Sequence, residues 1–97
     1  MINMTPKFKV GDMVRWRREI VFADGSVLYG DDVADWGSNP SPWGSNGDTE
    51  GLGFILSHKS VWYRNWPGEG EKTVIWYEVH WGHKGIIMAA EIALEKL

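Results

Sequence analysis

Tryptophan and tyrosine are the residues of this chain best suited to recognition chemistry, with seven Trp and three Tyr among 97 residues. An indole ring buries a large apolar surface and also donates a hydrogen bond, so it often dominates protein interfaces. Several of these rings fall in two stretches, 31–50 and 61–72, that we expect to be loops. A groove lined by them would fit a protein surface or a proline-rich peptide. The candidate partner-binding residues are Trp36, Trp43, Trp62, Tyr63, Arg64 and Trp66.

The same loop rings have a second interpretation, in which they pack the loops onto the domain that carries them. Large apolar side chains are usually buried in a folded protein, so packing and binding both remain open at these positions. For Trp16, Tyr77 and Trp81 we favour burial. Each of these three lies on the apolar side of an alternating strand pattern.

Basic residues beside aromatic rings offer a different chemistry, the stacking of nucleic-acid bases with cations close to the phosphates. Three arginines surround Trp16, and a lysine precedes Trp62. The possible nucleic-acid contacts are therefore Arg15, Arg17, Arg18 and Lys59. The net charge of −3, from ten basic and thirteen acidic residues, opposes this alternative, because phosphate binding usually requires a basic excess.

Histidine and aspartate are the metal ligands that the sequence offers. His80 and His83 lie three residues apart, but we interpret the first as an outward strand residue and the second as a turn residue. An acidic group lacks the spacing of a calcium-binding loop and is interpreted as solvated surface. This group comprises Asp31, Asp32 and Asp35. We expect neither a metal nor a cofactor.

Catalytic motifs are weak throughout the chain. It contains no cysteine, so a thiolate nucleophile is excluded. Ser57 and Ser60 flank His58, but neighbours along a strand point to opposite faces, so they do not form a nucleophile–base pair by themselves. No glycine-rich phosphate loop occurs. We therefore expect a binding protein rather than an enzyme.

Short β-strands are the elements that must position these residues. The length fits a single domain, 1–97, and twelve Gly with four Pro break the sequence into short apolar runs. Strand patterns occupy 8–16, 51–57 and 73–81, and a further strand begins at 86. The expected core combines three of these strands and comprises Val14, Trp16, Ile55, Tyr77, Val79 and Trp81.

An insertion, 17–50, separates the first two of these strands. Its first part predicts a projecting β-hairpin, because Asp24-Gly25 lies between two apolar runs and suits a type I′ turn. Its second part, 31–50, predicts a long loop without regular structure. Near the end of the chain, 89–93 predicts one helical turn, after which Leu94 and Leu97 would complete the core.

Three segments, 8–14, 51–55 and 77–81, carry a family resemblance. They read Phe-Lys-Val-Gly-Asp-Met-Val, Gly-Leu-Gly-Phe-Ile and Tyr-Glu-Val-His-Trp. This series resembles SH3-like barrels of transcription-associated and ribosomal domains, and is similar to small proteins of tailed phages, especially cyanophages. The resemblance implies an all-β, SH3-like small barrel encoded by a phage, and it transfers no catalytic residue.

Three functions are compatible with this resemblance. The first is a non-catalytic module that binds a host protein or a virion component. The others are a nucleic-acid-binding domain and a structural subunit of a phage particle. Segment 1–11 has no apolar signal region, and no apolar run reaches the roughly 20 residues of a membrane span. We therefore expect the host cytoplasm or the virion as the location, without membrane contact.

Overall fold

The structure, a computed structural model, describes residues 6–39, 51–66, 68 and 70–97. The side chains of residues 39, 59–66 and 83 lie outside this description. Most of the described chain is β-structure, which confirms the all-β class. The strands are β1 (Met13–Trp16), β2 (Glu19–Val21), β3 (Val27–Tyr29), β4 (Ser38–Asn39), β5 (Leu52–Trp66), β6 (Gly70–His80), β7 (Ile86–Ala90) and β8 (Leu94–Lys96).

Three short helical segments connect these strands. They are the α-helix α1 (Asp31–Gly37) and two 3₁₀ turns at Gly82–Lys84 and Glu91–Ala93. No helix in the described part of the chain is long and apolar enough to cross a membrane.

Six of the strands form one antiparallel sheet in the order β4-β7-β6-β5-β1-β8, and β2 pairs with β3 separately. The strands β4 and β8 form the two edges, and within the described ranges they do not pair with each other. The sheet is therefore open. One of its faces, the inner face, packs on the core, and the opposite face is called the outer face below.

Two stacked indole rings lie at the centre of the core. The ring centroids of Trp16 and Trp81 are 4.7 Å apart with an interplanar angle of 8°. The indole N–H of Trp81 donates to the carbonyl oxygen of Ile87 at 3.3 Å. All six predicted core residues are at most 4% exposed, so the predicted core is confirmed.

Two glycines make room for this indole pair. A Cβ atom on Gly53 would lie 2.5 Å from Val79 Cγ1 and 2.8 Å from Trp81 Cε3, closer than real carbon atoms approach. A Cβ atom on Gly37 would collide with Ala93 and lie 3.2 Å from Trp16 Cζ3. At both positions the neighbouring chain occupies the space of a side chain, and this requirement selects glycine.

The hairpin at Asp24-Gly25 is confirmed, but two of its details differ from the prediction. Gly25 has a positive φ of 86° and Asp24 does not, so the turn is not type I′. The N–H of Gly25 donates to Phe22 O, and the N–H of Phe22 donates to Ser26 O. Ile20 and Phe22 are buried in the core, so the hairpin covers the core rather than projecting from it.

The prediction of an irregular loop over 31–50 is wrong for its first nine residues, which form α1 and β4. Asp31 and Asp32 lie in the first turn of α1, where acidic side chains interact favourably with the helix dipole. Val33 and Ala34 are fully buried, and their contact with the core stabilises a helix too short to persist alone. Residues 40–50 lie outside the described residues.

The prediction of a second loop, 61–72, is also wrong, because all of its described residues except Gly68 are strand. β5 and β6 remain paired along their length, from Phe54 opposite His80 to Trp66 opposite Gly70. Two β-bulges interrupt β5, between Ile55 and Ser57 and between His58 and Ser60. We call the half of this strand pair that lies farther from β1, 60–66 with 70–76, the β5–β6 arm. The turn of the arm is close to the other hairpin, since a Cβ atom on Gly68 would lie 2.5 Å from Asp24 Cβ.

The prediction for residues 89–97 is confirmed in one part and wrong in another. The predicted helical turn is present as the 3₁₀ turn Glu91–Ala93, and Leu94 is buried at 1% exposure. Leu97 is 54% exposed, so its assignment to the core is wrong. The N–H of Leu97 donates to Met13 O, which continues the β8–β1 ladder and places its side chain on the outer face.

Replacement of Gly53 by Ala tests the close approach of β5 to the indole pair. The added methyl group must displace Val79 or Trp81, so we expect Gly53→Ala to lower the free energy of unfolding by about 1–3 kcal/mol. Gly51→Ala is the matched control, because its Cβ meets no atom within 4 Å and its φ is not positive. Urea unfolding of both variants measures the difference, and equal stabilities would contradict this account of Gly53.

Candidate functional site

A network of hydrogen bonds joins the start of the described chain to its end around Tyr77. The Tyr77 hydroxyl donates to Glu91 Oε2 at 2.6 Å. It accepts the backbone N–H groups of Lys7 at 2.9 Å and Phe8 at 3.1 Å. The Lys7 N–H also donates to Glu91 Oε2 at 2.9 Å. One buried phenol and one carboxylate therefore hold the segment before β1 against β6.

The same environment makes the Tyr77 phenol hard to ionise. Burial is the main cause, and the Glu91 carboxylate adds to it, because a phenolate beside that negative charge would lose the donated hydrogen bond. The N–H groups of Phe8 and Lys7 act in the opposite direction. The balance raises the pKa of Tyr77 to about 12.

A cleft of about 170 Å³ lies beside this network. Its lining combines residues from the start of the described chain, the β1–β2 connection, the β5–β6 arm and the second 3₁₀ turn. The lining residues are Lys7, Arg17, Thr73, Val74, Ile75, Glu91 and Ile92. Pockets that enclose a small molecule usually measure roughly 300–1,000 Å³. The cleft is thus sized for a single side chain of a larger partner.

The polar groups of the cleft favour an anion. Lys7 and Arg17 are exposed cations, and Glu91 is the only acidic residue among the lining residues. The Glu91 carboxylate already accepts hydrogen bonds from Tyr77 and from the Lys7 N–H, which reduces its capacity to repel a second carboxylate. The two cationic residues outnumber the one carboxylate, which is already hydrogen-bonded, so the net charge of the lining residues is positive.

An exposed apolar row crosses the outer face of the sheet. Ile86, His80, Phe54 and Met13 are direct cross-strand partners on β7, β6, β5 and β1. Leu52 lies two residues from Phe54 on β5, and Leu97 follows at the end of β8. We call Met13, Leu52, Phe54, Ile86 and Leu97 the outer row. Phe54 is 47% exposed and Ile86 is 56% exposed.

The predicted aromatic site residues are distributed over three places. Trp36 lies in α1, partly buried, with its ring edge-to-face on Phe22 at 5.5 Å between centroids. Trp43 lies outside the described residues. The backbones of Trp62, Tyr63, Arg64 and Trp66 belong to the β5–β6 arm, and their side chains lie outside the described part of the structure.

The predicted basic residues belong to different elements of the described chain. Arg15 lies on the outer face, where its Nε donates to Glu95 Oε1 at 2.8 Å. Arg17 is exposed at the cleft, and Arg18 is exposed at the start of the β2–β3 hairpin. The backbone of Lys59 is in β5, and its side chain is among those the structure does not describe.

The candidate metal ligands also lie apart. Asp31, Asp32 and Asp35 belong to α1, whereas His58 and His80 lie on β5 and β6. The His58 ring lies 6.2 Å from the Tyr77 ring, centroid to centroid. Among the described residues, no three His, Asp or Glu side chains come together as a metal-binding group. The side chain of His83 is outside that set.

Comparison of the chain with models of known protein families, with curated proteins and with solved structures finds no match. The geometry of the cleft and of the outer row is therefore the basis for the functional assignment.

Removal of the Tyr77 hydroxyl tests the network. Tyr77→Phe leaves two backbone N–H groups and a carboxylate without this partner, so we expect the free energy of unfolding to fall by about 1–3 kcal/mol. An unfolded tyrosine loses its proton near pH 10, whereas folded Tyr77 keeps it until about pH 12. Stability that depends on this proton is complete below pH 10 and is lost between pH 10 and pH 12.

Urea unfolding of the unmodified protein and of Tyr77→Phe at several alkaline pH values measures both effects. The two proteins differ at residue 77 alone, so the difference between their stabilities isolates Tyr77. We expect this difference to shrink as the pH rises above 10. A difference that stays constant up to pH 12 would contradict the raised pKa.

Proposed function

We propose that this chain is a non-catalytic binding domain of SH3-like type, encoded by a phage, that recognises a protein partner. The observation that carries the proposal is the outer row. Isolated exposed apolar residues are ordinary on a protein surface, whereas a contiguous apolar patch marks an interaction site. Here large apolar side chains lie on the same face of β7, β5, β1 and β8, with His80 of β6 between Ile86 and Phe54. Neighbouring strands are about 4.8 Å apart.

The size of the outer row suits the centre of a protein interface. Full burial of a Leu, Ile or Phe side chain contributes about 1.5–3 kcal/mol, so covering the exposed half of each residue contributes about 1 kcal/mol. A stable interface covers roughly 800 Å² on each partner and therefore extends beyond the row. The ion pair between Arg15 and Glu95 lies on the outer face beside the row and supplies part of the polar rim that interfaces usually have.

The SH3-like assignment is supported by the order of the central strands. β1 pairs with β5, the chain continues through β6 and β7, and the last strand β8 returns to the free side of β1. A 3₁₀ turn, Glu91–Ala93, precedes this return. The resemblance implies a short tail that closes the barrel. Here the tail strand β8 pairs with β1, and within the described residues the sheet remains open between β8 and β4.

The aromatic candidate residues do not support the proposal equally. The contact of Trp36 with Phe22 supports packing rather than binding at that position. Trp62, Tyr63, Arg64 and Trp66 remain candidates, because the strand register puts all four in the part of β5 that extends beyond its pairing with β1.

Nucleic-acid binding has less support than protein binding. Its candidate Arg15 is already paired with Glu95, and Arg17 lies at the cleft, whose lining does not include Arg15 or Arg18. A domain that binds nucleic acid through several phosphates loses affinity steeply as salt is added. A steep salt dependence of binding to single-stranded or duplex DNA would favour this alternative over the protein partner.

Serine substitutions in the outer row test the proposal. The double variant Phe54→Ser with Ile86→Ser removes two exposed apolar side chains from the row, and the core beneath it stays intact. The control is Val21→Ser, since Val21 is 64% exposed on β2, away from the row. Partners are captured from host lysate and from purified phage particles on immobilised protein and identified by mass spectrometry.

We expect a partner that the unmodified protein and Val21→Ser retain equally and that the double variant loses at least tenfold, as removal of about 1.4 kcal/mol or more predicts. Thermal unfolding verifies that all three proteins remain folded. Equal retention by the double variant would rule out the outer row as the contact surface.

A further inference from the structure

One edge of β6 is left without a strand partner along the β5–β6 arm. β7 pairs with β6 from His80 opposite Ile86 to Trp76 opposite Ala90, and then turns away at Glu91. Beyond the last residue paired with β7, β6 itself continues from Ile75 back to Gly70. In the described part of the chain, only β5 pairs with this portion of β6, on its other side.

The direction of the backbone groups follows from one hydrogen bond. The N–H of Trp81 donates to Gly85 O at 2.8 Å, so Trp81 directs its backbone groups toward the β7 side. Backbone groups alternate between the two edges along a strand, and the register of β6 shows no extra residue on this strand. Alternate residues from Trp81 back to Thr73 therefore face the same edge. The N–H and C=O of Thr73 lie on the edge that β7 leaves uncovered.

The cleft lies along this same stretch of edge. Thr73, Val74 and Ile75 form one of its walls, and Lys7 and Arg17 are the two cationic residues of its lining. The Lys7 ammonium lies 5.7 Å from the centre of the neighbouring Phe8 ring. An open strand edge offers backbone hydrogen bonds to an added strand, and a pocket beside the edge selects one side chain of that strand. The positive balance of the cleft selects an acidic side chain.

We propose that an extended acidic segment of a partner protein adds to the free edge of β6 as a further strand. Its backbone pairs with the N–H and C=O of Thr73, and one carboxylate enters the cleft between Lys7 and Arg17. This is a second binding surface, on a different part of the sheet from the outer row, and it does not depend on that row being functional.

The backbone and charge contributions to this binding differ in size. Lys7 and Arg17 are both exposed, and exposed ion pairs change an equilibrium by a factor of about 1.4–5. Loss of the strand hydrogen bond at Thr73 leaves a partner group unpaired at the new interface, which is worth tenfold or more. Removal of the edge donor is therefore the stronger test, and charge removal tests the selectivity.

The probe is an array of synthetic heptapeptides with Glu at the centre and Val, Thr, Ile or Tyr at the other positions. A second array has Gln in place of the Glu. Fluorescence anisotropy of labelled peptides gives the affinities of the best sequences. We expect the Glu peptides to bind about 1.4–5 times more tightly than their Gln counterparts, and this preference to shrink in Arg17→Gln.

Arg18→Gln is the matched control for charge, because Arg18 is exposed next to Arg17 but is not part of the cleft. It should keep the preference for Glu peptides. An array without binding at millimolar peptide, or equal binding of Glu and Gln peptides by the unmodified protein, would overturn the proposal.

Thr73→Pro removes the edge N–H while leaving the β5 side of the strand to its partner, since proline is accepted where the N–H faces away from the sheet. We expect it to weaken peptide binding at least tenfold. Hydrogen exchange provides a readout that does not depend on folding of the proline variant: in the unmodified protein, peptide should slow exchange of the Thr73 amide. An unchanged exchange rate at saturating peptide would overturn the proposal.

The outer-row double variant separates this proposal from the proposed function. Phe54→Ser with Ile86→Ser should bind the peptides as the unmodified protein does, since neither residue lines the cleft. Loss of peptide binding in that variant alone would assign the peptides to the outer row and refute the edge site.

Discussion

The stacking of Trp16 on Trp81 is the contact on which the rest of the structure depends. It joins β1 to the end of β6, and each ring has a glycine against it, Gly37 on one side and Gly53 on the other. A domain of this length without disulfides has a small core, so two large rings supply a considerable part of its buried apolar area. The glycines allow α1 and β5 to approach the rings closely. The indole pair thereby fixes the position of α1 relative to β5.

The inner face of the sheet could be predicted from the sequence because its signal is local. Alternation of apolar residues placed Tyr77 and Val79 on the buried side correctly. Two features of the fold were missed. Helix α1 resembles a loop in composition, and the contact of its Val33 with the core overrides that composition. Both Trp76 and Tyr77 are buried, because a second apolar cluster covers part of the outer face, and alternation alone does not reveal a strand with two buried faces.

The candidate sites could be predicted only in part. The β-branched and aromatic composition of 61–66 did contain a strand signal, which the expectation of a loop overlooked. Phe54 is exposed because its neighbours Gly53 and Ile55 face the core, which puts Phe54 on the opposite face of β5. The cleft has no local signal. Arg17, Thr73 and Glu91 are far apart in the sequence, and only the strand register brings them together.

The hydrogen bonds of Lys7 to Tyr77 and Glu91 have a consequence for the synthesis of this protein. They join residues separated by 70 and 84 positions, and β1 pairs with β8 over a similar distance. Native contacts between residues so distant in sequence slow folding, because a long loop must close before they form. During synthesis, β1 cannot pair with β8 until residues 94–96 have left the ribosome. Until then β1 has an unpaired edge, and the nascent chain depends on fast release or on a chaperone to avoid aggregation.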